Sequence, residues 1–154
     1  MKWLPIPSTK IYESLGAVAD GRVEVVTPNS AKVYSSTRNK FYYVMYDPAK
    51  QAIMSNDNAS YWKETLGYPA VAFLMKIGVV SYDQGMCDLL KAVPWKDINQ
   101  KFKNDFEKAL AYILSSKTEE QRSALSNFVE KVLGEVNALN LDMLGEKTKP
   151  PAGY

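Results

Sequence analysis

The sequence predicts an α+β domain, and three observations carry that prediction. Four short runs rich in β-branched and aromatic residues follow one another between residues 22 and 55, each closed by turn chemistry. Apolar residues recur at helical spacing before that region and through most of the chain after it. The connections between the four runs are too short to carry a crossover, so neighbouring strands must run antiparallel as a meander.

The elements follow in order. Ser8 to Ala19 places Ile11, Tyr12, Leu15, Val18 and Ala19 at helical spacing, with Ser8 or Thr9 to cap the start and Gly21 to stop it. Gly16 in its middle costs about 1 kcal/mol against alanine, and a competing reading makes Asp20-Gly21 a hairpin turn between two strands. The strands are Arg22–Thr27, Ala31–Thr37, Lys40–Tyr46 and Gln51–Ser55, separated by Pro28-Asn29-Ser30, Arg38-Asn39 and Asp47-Pro48-Ala49-Lys50. Asn58 or Ser60 caps a short helix through Trp62 and Leu66, and Pro69 opens another that Gly78 ends. Asp83 to Ala92 is a further short helix. Pro94 then opens a long one, with Trp95, Ile98, Phe102, Phe106, Ala109, Leu110 and Ile113 on one apolar stripe. Its antiparallel partner begins at the capping-box pattern Thr118-Glu119-Glu120-Gln121 and runs through Leu125, Phe128, Val129, Val132, Leu133, Val136 and Leu139 to Gly145. Phe102, Phe106, Leu110, Phe128, Val132 and Leu139 are expected to be buried between these two helices. Residues 1–145 thus form one domain, and 146–154, with two prolines, read as a flexible tail.

Composition narrows the chemistry. At 154 residues and 46% hydrophobic, the chain is long and apolar enough for a real core. Histidine is absent, which removes Ser-His and Cys-His nucleophile pairs, imidazole bases and the common zinc sites. Cys87 is the single cysteine, so no disulfide and no thiolate cluster forms within one chain, and a reducing, cytoplasmic setting is the simplest expectation. The opening Met1-Lys2-Trp3-Leu4-Pro5-Ile6-Pro7 lacks the apolar run of a signal peptide, and the stretch Pro69 to Val80 is too short to cross a bilayer. No cofactor, metal or membrane partner is expected. The net charge of +2 is too mild to demand nucleic acid. A Gly-rich phosphate loop is missing, and no local spacing announces paired catalytic acids.

Several features invite function. Strand alternation sets Phe41, Tyr43 and Met45 on one face of the third strand and Tyr42, Val44 and Tyr46 on the other. Tyr42 and Tyr46, beside Tyr34, Lys32, Arg38 and Lys40, are the expected components of a stacking face for single-stranded nucleic acid. The oxygen-rich tract Ser55-Asn56-Asp57-Asn58-Ala59-Ser60 lacks the alternation, glycine and distal glutamate of a calcium loop, so capping and turn closure are expected of it. Lys76 suits the last turn of its helix, its stem snorkelling out, and Cys87 reads as a small core residue.

The run Lys32-Val33-Tyr34-Ser35-Ser36, a turn, Phe41-Tyr42-Tyr43-Val44, another strand, a polar break and a helix opening at Gly67 resembles the SWIM-type ββα zinc modules. Where that family carries Cys-x-Cys and Cys-x-His, this chain has Met54-Ser55-Asn56-Asp57 and Gly67-Tyr68-Pro69. The resemblance covers less than a third of the chain. It implies a metal-free descendant in which apolar packing replaces zinc, with nucleic acid or protein as the contact. Taken together, the sequence points to a small non-catalytic interaction or adaptor module with a protein partner. Single-stranded nucleic-acid binding through the tyrosine-bearing sheet is the runner-up, and an enzyme without histidine or metal comes third.

Overall fold

In the computed structural model, residues 1–152 are described, and they form the expected α+β architecture. Helix α1 is Ser8–Ala19, followed by strands β1 (Val23–Thr27), β2 (Ser30–Tyr34), β3 (Phe41–Asp47) and β4 (Ala52–Ser55). A π-helical turn, Ala59–Lys63, leads to α2 (Tyr68–Lys76), α3 (Gln84–Asp88), α4 (Trp95–Lys101), α5 (Phe106–Leu114) and α6 (Glu119–Leu139). A two-residue strand β5, Asp142–Met143, completes a sheet of order β1-β2-β3-β4-β5 in which the first three pairings are antiparallel and β5 runs parallel to β4.

The layers follow from which surfaces are apolar. Every residue of α2 from Pro69 to Met75 is buried, as expected of a helix that is hydrophobic all round. It lies between the inner face of the sheet and α1, and α1 in turn carries α3, α5 and α6. Phe73, Leu74, Leu15, Val44 and Ile53 meet in the core so formed. The capping box at Thr118 and Gln121 opens α6 as the sequence predicts.

Three local expectations are corrected. The long helix from Pro94 is broken: Lys103 and Asn104 take positive φ values of 53° and 63°, and Asp105 restarts α5 by accepting a hydrogen bond from the Lys108 N–H at 3.1 Å. Asparagine tolerates the left-handed region and aspartate is a preferred cap, so the break has a chemical cause. Likewise α6 ends at Leu139, where Asn140 is left-handed, rather than at Gly145. Leu110 and Val132 are buried, with α5 and α6 each packed on α1, whereas Phe102, Phe106, Phe128 and Leu139 are partly exposed. Phe106 instead carries the Lys10 ammonium 4.0 Å from its ring centre. Of the expected tail, Lys147 pairs with Glu64 at 3.6 Å, and residues 153 and 154 lie outside the described residues. Among the described residues no helix is long and apolar enough to cross a membrane.

Candidate functional site: a polar cleft between the first helix, the sheet and the fourth helix

The sheet presents two different faces, and the register decides which tyrosines are available. Val33 pairs with Tyr42 and Ala31 with Val44, while Lys32 pairs with Tyr43 and Tyr34 with Phe41. Because α2 covers the face with Ala31 and Val33, Tyr42 and Tyr46 are turned inward, 6% and 5% exposed. They do not share an open face with Tyr34 and Lys32, which corrects the expected stacking set. The outer face carries Tyr43 and Met45, with Phe41 and Tyr34 partly exposed beside them. Lys32 Nζ sits 4.9 Å from the Phe41 ring centre and 5.9 Å from that of Tyr43. Arg38 stands in the β2–β3 turn, where its Nη2 donates to the Asp20 carbonyl at 2.7 Å.

Tyr42 and Lys40 belong to a different place, a polar cleft of about 240 Å³. Glu13 of α1 and Arg22 at the head of β1 line it, together with Ser35 and Ser36 beyond β2. Tyr68, at the start of α2, and Trp95, Lys96 and Asn99 of α4 form the rest of its wall. The Tyr42 ring stands edge-on to that of Tyr68 at 6.3 Å, and the Lys40 ammonium lies 5.5 Å from the Tyr42 ring centre. α4 is brought in by close packing on α1: a Cβ at Gly16 would lie 2.6 Å from Trp95 Nε1. Glycine in mid-helix therefore trades helix propensity for the approach of an indole. The indole N–H is buried and has no hydrogen-bond partner among the described residues.

The charged groups of the cleft are deeply set. Arg22 is 2% exposed. Its Nη1 donates to the Tyr34 carbonyl at 2.9 Å, and its guanidinium lies 5.6 Å from the Tyr68 ring centre. Among the described residues its Nε has no hydrogen-bond partner, the Asp20 carboxylate standing 3.7 Å away. Glu13 is 6% exposed and accepts a hydrogen bond from Asn99 Nδ2 at 3.2 Å. Burial pushes its carboxyl above the usual range, opposed by Lys10, the Asn99 hydrogen bond and Arg22. Burial also raises the Tyr68 hydroxyl strongly, against the pull of Arg22, so the phenol stays neutral.

Glu13 makes stability depend on pH with a definite sign. The folded chain holds the Glu13 proton to a higher pH than the unfolded chain does. From the usual carboxylate range up through the raised value, the folded state binds more protons, so this contribution falls as pH rises. Denaturant titrations of wild type and Glu13→Gln between about pH 4 and 8 check this: the wild type is expected to lose stability relative to the variant as pH rises. A constant difference across the range would contradict it.

A second buried polar cluster gathers around Asp57, next in the chain to Asn58 of the cleft lining. The Asp57 carboxylate accepts hydrogen bonds from Ser55 Oγ at 2.7 Å, Ser60 Oγ at 2.6 Å and the Ser60 N–H at 3.2 Å. Capping is thus what the oxygen-rich tract does, with Asp57 as the capping side chain rather than Asn58 or Ser60. A Cβ at Gly67 would lie 1.9 Å from Asp57 Oδ2, so the two segments that the zinc-module resemblance sets at ligand positions lie against each other. Among the described residues no three or more His, Cys, Asp or Glu side chains are grouped to hold a metal. Cys87 is buried in the core, its thiol pushed up to about 12 by burial and then by Asp83 and Asp88.

Glu13, Arg22, Tyr68, Trp95 and Asn99 carry the cleft, and sequence reasoning singled out none of them for function. The available signals were a carboxylate in a helix buried nearly all round and a glycine where alanine would serve the helix better. A family model described as "Uncharacterised conserved protein UCP014422" matches residues 3–142 of the chain. No curated protein and no solved structure matches it.

Proposed function

The chain belongs to this uncharacterised conserved protein family, and we propose that it is a small non-catalytic interaction module whose cleft receives the acidic group of a ligand. The observation that carries this reading is Arg22. A guanidinium offers five donors, yet among the described residues this one is buried with an unpartnered Nε and no carboxylate closer than 3.7 Å. Burying a charge with so loose a partner is costly, and an anion in the cleft offsets that cost. The hydroxyls of Ser35 and Ser36 and the amide of Asn99 line the same space and suit a polar guest. Pockets for drug-sized ligands run to about 300–1,000 Å³, so a cleft of about 240 Å³ fits a group of few heavy atoms. A cytoplasmic setting accords with the lone reduced thiol of Cys87.

Titration calorimetry with acetate and with inorganic phosphate tests the reading. Saturable binding is expected with a Kd of about 1 mM or tighter, equivalent to roughly 4 kcal/mol from a handful of atoms. Arg22→Lys keeps the charge but loses the fork, and is expected to weaken binding about tenfold. The absence of saturable heat with either anion contradicts the reading.

A second reading, single-stranded nucleic acid on the outer sheet face, is favoured by the exposed Tyr43 and the Lys32 ammonium over the Phe41–Tyr43 ring pair. Here Tyr43 takes the stacking role first expected of Tyr42 and Tyr46. Oligonucleotide binding whose salt dependence flattens in Lys32→Ala supports it, and no binding at low salt removes it.

A further inference from the structure

We propose that the cleft is built for a small zwitterion, a molecule carrying a carboxylate and an ammonium group a few bonds apart, as amino acids do. The inference rests on the reading of the cleft as a ligand site and names the class of molecule it takes. Its basis is the pair Glu13 and Arg22. Both line the cleft, and both are buried, at 6% and 2% exposure. Opposite charges in one buried space ordinarily close on each other, because the attraction is strong where water is scarce. These two do not. Among the described residues the ion pair of Arg22 is with Asp20, and the hydrogen bond to Glu13 comes from Asn99. Both side chains line the cleft without pairing to each other among the described residues.

The occupant follows from the charges. A simple anion satisfies Arg22 and faces the Glu13 carboxylate unfavourably; a simple cation does the reverse. A zwitterion meets both, its carboxylate toward the guanidinium and its ammonium toward Glu13, and brings no net charge into the buried space. The size of the cleft, about 240 Å³, keeps the molecule small. The amide of Asn99 and the Ser35 hydroxyl supply donors and acceptors of both kinds for the atoms between the two charged ends.

Calorimetric titration of the intact chain with glycine, β-alanine, acetate and methylammonium tests this. The two zwitterions differ by one carbon in the spacing of their charges, and acetate and methylammonium are the separate halves. One zwitterion is expected to bind at least about tenfold more tightly than either half. Glu13→Gln, which keeps the shape and the acceptor for Asn99, is expected to lower that affinity about tenfold while acetate binds as well as before or better. Zwitterions that bind no more tightly than acetate overturn the inference and leave the cleft an anion site. A preference that survives Glu13→Gln also overturns it. Silence from all four probes removes the cleft as a ligand site and the inference with it.

Discussion

Phe73→Ala is expected to cost about 3–5 kcal/mol of folding stability, the range for truncating a buried phenylalanine. Phe73 is fully buried in α2, the helix that lies between the sheet and α1. Neither flank can readily collapse into the space left behind, since the sheet is fixed by its ladders and α1 is held by three further helices. Phe106→Ala, by contrast, removes a half-exposed ring that rests under the Lys10 ammonium, and should cost much less. Urea titrations of the two variants order them. Equal losses would mean that the core does not centre on α2.

Asp57→Ala is expected to be nearly as damaging, at about 2–5 kcal/mol, because it strands three buried donors at once. The Ser60 N–H cannot turn away, and the Ser55 and Ser60 hydroxyls have their carboxylate partner removed. Gly67→Ala should reproduce much of the loss from the other side, since its methyl would occupy the place of Asp57 Oδ2. The two substitutions are therefore expected to be non-additive. In an Asp57→Ala background, Gly67→Ala should cost little, as the oxygen it would strike is gone. Simple additivity in a double-mutant cycle would show that the contact between the two segments has no bearing on stability.

The sheet and most helices were legible because each of the first four strands ends in turn chemistry, and α1, α5 and α6 keep a 3.6-residue apolar rhythm. The break between α4 and α5 was hidden because the stripe from Trp95 to Ile113 keeps its phase across it. The left-handed residues Lys103 and Asn104 lie on the surface, where apolar periodicity carries no information. β5 escaped notice because two residues are too few to show alternation, and its partner β4 is about 90 positions earlier in the chain. The faces of β3 were ambiguous for a different reason. Phe41, Tyr43 and Met45 are as apolar as Tyr42, Val44 and Tyr46, so pairing with Ala31 and Val33 decides which set goes inside. The cleft was the least legible part. Glu13 lies in the middle of α1 and Arg22 just beyond its end, and only the packing of α4 through Gly16 brings Trp95 and Asn99 against them.

The central claim, that a ligand's acidic group enters between α1 and α4, is tested most directly by proton–nitrogen correlation spectra during titration with acetate or glycine. The three indole N–H signals report from three places. Trp95 lines the cleft, Trp3 donates to the Ile53 carbonyl at 2.9 Å, and Trp62 stands exposed. The account predicts saturable shifts at Trp95 and at the Arg22 Nε–H, with Trp3 and Trp62 unmoved. Shifts at Trp62 or Trp3 while Trp95 and Arg22 stay still would contradict it.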